Sequence, residues 1–587
     1  MKKLIYLFAA ALFCTPQIHS QMQTVVATPA NDFLNSIGVN SSINSRGEQV
    51  DSTLKTCLYI GARWIRSGPP DSGADQWKQN TIACFQKLYN QGGIRFSLML
   101  PSSGDAYTDS SSGVNYPDGI TYLMDGAKQI VNQVSPDALL AFEGVNEPNN
   151  WAITYQGQSS GQGNSWRGLA RYHRDMYNAI QADPVLKNYP VWSLSETGAE
   201  LDNMGLQFIT VPANATAVDA EFRGVTFADY ANCHNYFVHP TWPIHSNNQT
   251  WLVADPTKNA KADDLYGSFG LTWYKGFTGH TDAELLTIPR VTTETGVTIT
   301  QPYLWDWNTN TWTTTPDPDY SNPATRITEE DQALTYLSCY LAQFKQGWSY
   351  TAMYILRDRI DEGGNQTFGF YESHWVNETI RYPSNPRLAA RYMHNMTTIL
   401  ADNQSIAAPE SLAYGINPCP ETVHDLLLQK NDGKMMLVIW DEKYASGATA
   451  EDVTVQFDKT YSTIKIYNPA QYNPAQPEQG TQPVQTVTGA NQVTLSMLNH
   501  PYILELVPSQ GTGIKAVQAK SDACSITTAP GAIVLSNDGS AADYAIYNRA
   551  GQMVAKGALT KGKKTIMLPD GVYVVKAADM KQKVVVQ

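Results

Sequence analysis

Up to about residue 394, short apolar runs alternate with segments of helical periodicity, and that alternation sets the expected fold. The runs are Ser36–Asn40, Arg63–Gly68, Arg95–Pro101, Ala138–Glu147, Pro190–Glu196, Asp229–Tyr236, Pro289–Gly296 and Tyr350–Asp358. Between them, segments such as Trp166–Asp183 and Glu329–Phe344 space their apolar residues as an amphipathic helix does. Strands that alternate with helices imply a parallel sheet covered on both faces. Eight such units predict a closed (β/α)8 TIM barrel with large loops, over residues 27–394.

Past about residue 395 the helical periodicity stops. Strand-like runs follow at Ser411–Ile416, Thr422–Gln429, Lys434–Trp440, Val453–Phe457, Thr463–Tyr467, Gln492–Met497 and Tyr502–Val507. Asn431-Asp432-Gly433 is a hairpin turn between two of them. This pattern predicts a β-sandwich side domain over 395–510. Residues 511–587 read as the rest of a Ser/Gly/Gln-containing linker that begins at Pro508, then a small Ig-like β domain. Its clearest strands are Gly571–Lys576 and Lys583–Val586.

Composition changes this picture at three points. Of the 587 residues, 42% are hydrophobic and 16% charged, which suits a globular chain of several domains. The net charge of −13 argues against a polyanion-binding face, so no nucleic-acid partner is expected. Met1–Ser20 has Lys2 and Lys3 ahead of the apolar stretch Leu4–Phe13, the pattern of a secretory signal cleaved after Ser20. Cys14 offers a lipoprotein alternative, which the bulk of Phe13 disfavours. Export makes the protein secreted or surface-bound and permits disulfides among the six cysteines that remain. Their spacing fits no zinc pattern. Cys57–Cys84 is one open pairing, and buried thiols are the other reading.

The chemistry centres on Ala138–Pro148, read Ala-Leu-Leu-Ala-Phe-Glu-Gly-Val-Asn-Glu-Pro. Pro148 has no N–H, so the strand should end there. That puts Asn146 and Glu147 at the C-terminal lip of a buried parallel strand, where a TIM barrel keeps its reactive groups. A half-desolvated carboxyl there would have a raised pKa and could donate a proton. The stretch Phe142–Asn149 resembles the fourth-strand signature of glycoside hydrolase clan A, with families 39, 30 and 5 the nearest comparisons. The resemblance implies that Glu147 is the general acid/base and that Asn146 holds the sugar 2-hydroxyl. It implies a retaining glycosidase that acts on β-linked polysaccharide without metal or cofactor.

Such an enzyme needs a second, facing carboxylate. Glu294 ends the seventh run, where the clan places its nucleophile. Carboxyls about 5–5.5 Å apart would mean retention and about 6.5–9.5 Å inversion. The nearby Glu294 charge is expected to raise the pKa of Glu147. His234 and Tyr236 end the sixth run, where the clan commonly has a His or Tyr near the nucleophile; Tyr236 could donate to Glu294, and a satisfied core histidine is the other reading of His234. Arg66, at the end of the second run, could hold Glu294 ionised or form a structural ion pair. Glu143 and Glu196 are decoys. Glu143 shares the face of Glu147 but lies deeper, and Glu196 could line the cleft and is the reserve nucleophile.

The long loops are aromatic, with Trp151, Tyr155, Trp242, Trp251, Trp273, Trp305, Trp307 and Trp312 in or beside them. Flat rings cover the apolar faces of sugars, so this set predicts a glycan cleft, with Trp151 and Trp305 as binding residues. A β-glucan is the first expected substrate and a xylan the second. A non-catalytic glycan-binding or adhesion protein on a barrel scaffold is the alternative, and it predicts a misplaced Glu147 or Glu294. At the C-terminus, Ala545–Asn548, the Gly551 turn and Gly571–Lys576 resemble the sorting domain of type IX secretion cargo. That likeness implies a secretion machinery as a partner; an ordinary Ig-like domain is the other reading.

Overall fold

A computed structural model describes residues 22–586 apart from 42, 44–48, 71–80, 109–112, 163, 198–208, 215–218, 238–244, 259–280, 307, 310, 360–366, 376–380, 446, 509–523, 530, 549–552, 570 and 578–579. The signal-like stretch 1–20, Trp242, Trp273, Trp307, Gly551 and most of the linker lie outside these residues.

Eight parallel strands form the barrel: β1 (Ile37–Asn40), β2 (Trp64–Ser67), β3 (Arg95–Met99), β4 (Leu139–Glu143), β5 (Val191–Trp192), β6 (Ala231–Asn232), β7 (Arg290–Thr295) and β8 (Trp348–Met353). They are hydrogen-bonded in the order β5-β4-β3-β2-β1-β8-β7-β6. A parallel bridge from Trp192 to Tyr230 closes the ring, with the Ser193 N–H donating to the Tyr230 carbonyl at 2.8 Å. Helices on the outside cover the strands, among them Gly119–Gln133, Arg167–Ala182, Glu329–Lys345 and Leu388–Ile399. Asp118 caps the first of these, and a Thr328–Asp331 capping box starts the third. The β5–β6 connection departs from the pattern: its described residues carry only a short 3-10 turn, Ala220–Phe222.

The side domain is one hydrogen-bonded sheet of eight strands. The long strand Glu451–Tyr467 merges two of the expected runs, pairs with Ser411–Asn417 through its first half, and also borders Pro501–Pro508. Gln23–Val26 pairs with Ser411–Asn417, and Thr28–Pro29 pairs with Val423–Gln429. The N-terminal lead-in therefore belongs to this sheet, and the chain crosses from it into the barrel at Ala30. Barrel and side domain form one compact unit through Val507. Within it Glu442, wholly buried, accepts from the Thr250 and Trp251 N–H groups at 3.0 and 3.1 Å and from Trp440 Nε1 at 3.2 Å. A side-domain carboxylate thus caps the barrel-loop helix Gln249–Ala254.

The second unit runs from Pro508. It holds a three-stranded sheet (Cys524–Ala529, Ala532–Asn537, Gly562–Met567) and a four-stranded one (Met553–Leu559, Ala542–Tyr547, Gly571–Ala577, Met580–Val586). Ile533, Leu535, Ile546 and Val575 lie in its core. Cys57 and Cys84 are separate buried thiols, so the open pairing is not made; burial pushes Cys84 up to about 11.

Candidate active site

The barrel interior is built in layers, each two residues above the last. At the floor, Trp64, Trp192 and Tyr350 pack together with ring centroids 5.3–5.8 Å apart. Trp64 lies directly over Gly38, where a Cβ would come within 2.0 Å of the indole. Two residues on from Trp64, Ala141 and Val291, the same inward face carries Arg66, Glu143 and Thr293, and Asn232 of β6 completes this polar layer. Glu143 is fully buried. It accepts from Arg66 Nε at 2.9 and 2.8 Å, Arg66 Nη2 at 2.6 Å, Thr293 Oγ1 at 2.8 Å and Asn232 Nδ2 at 3.4 Å. Burial alone would weaken the charge on Arg66, but Glu143 and Glu294 outweigh it and hold the guanidinium pKa above its ordinary value.

A further layer stands above. The chain leaves β4 at Glu143 and turns at Glu147, whose φ of 41° is left-handed. Three backbone bonds fix that geometry: Glu147 N–H to Ser195 O at 2.8 Å, and the Asn150 and Trp151 N–H groups to Glu147 O, both at 2.9 Å. Gly144 is required below the turn, since a Cβ there would meet His173 Nε2 at 2.0 Å and Leu194 N at 2.6 Å.

Glu294, near the end of β7, accepts from Arg66 Nη1 and, at 2.9 Å, from the Tyr236 hydroxyl. His234 Nδ1 lies 2.8 Å from Glu147 Oε1 and 3.7 Å from Glu294 Oε2. One oxygen of each carboxylate and the imidazole nitrogen lie within 4.8 Å of one another. Asn146 Oδ1 accepts from Arg66 Nη2 at 2.8 Å. The fold thus brings Arg66, Asn146, Glu147, His234, Tyr236 and Glu294 together. Trp151, 62% exposed, follows the Glu147 turn. Trp305 sits on the hairpin Tyr303–Asp306/Thr311–Pro316, edge-on to Trp312 at 5.2 Å.

The expected rise in the Glu147 pKa is not found. Burial pushes it up, but the bond and charge of His234, then Arg66 and Asn150, outweigh burial and hold it below the ordinary glutamate value. Tyr236 is pushed far up, by burial first and then by Glu294 and Glu147, so it remains a phenol able to donate. Glu196 does not line the cleft; it is wholly buried in the segment after β5. Two of the loop aromatics are anchors. Tyr155 packs on Tyr172 and donates to Asp175 at 2.8 Å, and Trp251 stacks on His424 with centroids 4.0 Å apart.

Sequence reasoning passed over Thr293 and Asn232, which link Glu143 to His234. Their signal was the two-residue offset from the barrel floor. It also passed over Tyr354 and Phe368, which pack in series beside Tyr236 with centroids 5.4 and 5.9 Å apart. Among the described residues, Glu147, His234 and Glu294 are also the one His/Asp/Glu/Cys group close enough to share an ion. An ion there would compete for carboxylate oxygens already taken by Arg66, Tyr236 and His234.

No protein-family model matches the chain, and no curated protein matches it. Solved structures do resemble it. A GH30 endoxylanase from Clostridium papyrosolvens C71 is 11% identical over 84% of this chain and 98% of that one, with a TM-score of 0.42. A GH51 arabinofuranosidase from Xanthomonas axonopodis pv. citri is 12% identical over 83% and 100%, with a TM-score of 0.43. An FMN-binding β-glucuronidase from Facaelibacterium prausnitzii L2-6 is 13% identical over 93% of this chain at a TM-score of 0.34, and the chain spans only 58% of it. What those proteins act on is theirs; the chemistry of this chain has to come from its own residues.

Proposed function

We propose that this protein is a retaining glycoside hydrolase that cleaves β-glycosidic bonds by double displacement. The observation that carries the reading is that one carboxylate oxygen of Glu147 and one of Glu294 lie within 4.8 Å of each other, an approach that suits the close pair of carboxyls, about 5–5.5 Å apart, of a retaining enzyme. Glu294, paired with Arg66 and hydrogen-bonded by Tyr236, attacks the anomeric carbon as a carboxylate. Glu147 protonates the departing oxygen, then takes a proton from the water that releases the sugar. Asn146, oriented by Arg66, is placed to bind a sugar hydroxyl. A barrel that only bound glycan would have no need to bring two carboxylates together in this way.

The exposed Trp151 and the tryptophan-bearing hairpin favour an extended polysaccharide; a β-glucan is the first substrate to try and a xylan the second. Met1–Ser20 and the likeness of the C-terminal unit to a sorting domain support export, with a secretion machinery as partner. A hydrolysis screen over β-glucans, xylans and aryl glycosides tests the activity. The wild-type protein should release sugar from at least one, and Glu294→Gln from none. A wild type inert on the whole panel would refute the proposal.

A further inference from the structure

The carboxylate pair accounts for bond cleavage but not for the buried Thr293, which sits beneath His234 and touches no space a sugar could enter. A hydroxyl has one hydrogen to give. Glu143, ionised against Arg66, can only accept, and Thr293 Oγ1 lies 2.8 Å from it. The one other acceptor within reach, Asn232 Oδ1 at 3.2 Å, is uncharged and farther off, so the Thr293 hydrogen is committed to the Glu143 carboxylate, and its oxygen accepts from Asn232 Nδ2 at 3.0 Å and His234 Nε2 at 3.2 Å. The second of these requires a hydrogen on Nε2. With Nε2 protonated, the 2.8 Å contact from Nδ1 to Glu147 Oε1 needs one further proton, on either the nitrogen or the oxygen.

We propose that Thr293 is a positioning residue that locks His234 in its Nε2-protonated form, so that the proton Glu147 delivers to the leaving oxygen is drawn from His234 Nδ1. The inference rests on the glycosidase reading above. In the first step the proton passes from Nδ1 to Glu147 Oε1 and on to the glycosidic oxygen. That oxygen keeps the electron pair of the breaking bond, while a Glu294 oxygen forms the new bond to carbon. In the second step water attacks the same carbon, Glu294 departs as a carboxylate, and the water proton returns through Glu147 to Nδ1. The charged and titratable groups around the pair are Arg66 on β2, Glu143 on β4, Glu196 after β5, Tyr236 after β6 and Glu294 on β7.

The lock has a consequence for pH. Losing the shared proton would leave two lone pairs facing each other, at Glu147 while Nε2 keeps its hydrogen or at Thr293 if the ring changes tautomer. The pair therefore holds its proton to higher pH than an unlocked pair would. Thr293→Val removes the constraint and lets a neutral ring donate from Nδ1 to an ionised Glu147.

On an unactivated β-gluco-oligosaccharide, the basic limb of kcat/KM should move down by about one pH unit in Thr293→Val, one hydrogen bond's worth. Thr293→Ser should restore the wild-type profile. Imidazole nitrogen NMR of the wild-type chain should show Nε2 protonated as the pH rises through that limb. An unmoved basic limb, an equal loss of rate at every pH, or a neutral Nδ1–H ring in the wild type would overturn the proposal. If the valine variant does not fold, the wild-type spectrum decides alone. A wild type that hydrolyses no glycoside would instead defeat the glycosidase reading, with the tautomer still measurable.

Discussion

Tyr236 donates its phenolic hydrogen to Oε2 of Glu294 across 2.9 Å, while Arg66 takes the other oxygen of the same carboxylate. Glu294, the proposed nucleophile, is thus held from two sides by donors from β2 and from the segment after β6. Tyr236→Phe keeps the ring and deletes one charge-assisted bond worth about 1.5–3 kcal/mol. The expected result is a fall in kcat/KM of roughly 10- to 150-fold with folding intact. A phenylalanine variant as active as the wild type would remove Tyr236 from the site.

Glu147 and Glu294 should separate by leaving group. In Glu147→Ala the departing oxygen gets no proton, so turnover of an unactivated glycan should drop by about 10²- to 10⁴-fold. An aryl glycoside whose phenolate leaves unaided should lose far less in its first step. Steady-state and burst kinetics on both substrates check this. Equal losses would mean that Glu147 is not the acid.

His424 lies stacked on Trp251 and beside Trp440, and burial lowers it to about 3 from an ordinary 6.5. The unfolded chain takes up a proton near pH 6.5 that the folded chain refuses until about pH 3, so acid favours unfolding. Stability from this site is present above pH 6.5 and declines as pH falls towards 3. Denaturant unfolding near neutrality and near pH 4.5 should show a loss of about 2 kcal/mol more in the wild type than in His424→Asn. Parallel pH dependence in the two proteins would contradict the assignment.

Glu442→Ala should loosen the contact of the side domain with the barrel-loop helix Gln249–Ala254. It strips the acceptor from two buried N–H groups at the start of Gln249–Ala254 and from Trp440 Nε1. A cost of about 3 kcal/mol is expected in denaturant unfolding, because unsatisfied buried donors are expensive. A change below about 0.5 kcal/mol, the range of an ordinary surface substitution, would show that water replaces the carboxylate.

The eight barrel strands were legible because strands covered on both faces read as apolar runs, with Glu147 following β4 and Glu294 near the end of β7. β5 and β6 have two residues each, and beyond them the pairing goes on only as single contacts, such as the Asn146–Ser195 bridge and the His234 N–H bond to the Glu196 carbonyl. The N-terminal strand Gln23–Val26 was illegible for another reason: its partner, Ser411–Asn417, lies about two thirds of the chain away. Glu147 and Glu294 were singled out by their motifs, but the state of Glu147 was not legible. That state depends on His234, which only the closed barrel brings within 2.8 Å. Thr293 was missed because a threonine on a strand signals β structure and nothing more until Glu143 and His234 are seen on either side of it.

Double displacement requires a covalent sugar on Glu294, and trapping it is the most direct test. The wild-type protein would be incubated with fluorinated, activated glycosides of the gluco and xylo series, which form the intermediate but hydrolyse it slowly. Intact-mass and peptide-mapping mass spectrometry should then show one added glycosyl group, carried by the peptide that contains Glu294 and absent in Glu294→Gln. A label on Glu147, Glu196 or any other residue, or turnover with inversion at the anomeric carbon, would contradict the mechanism.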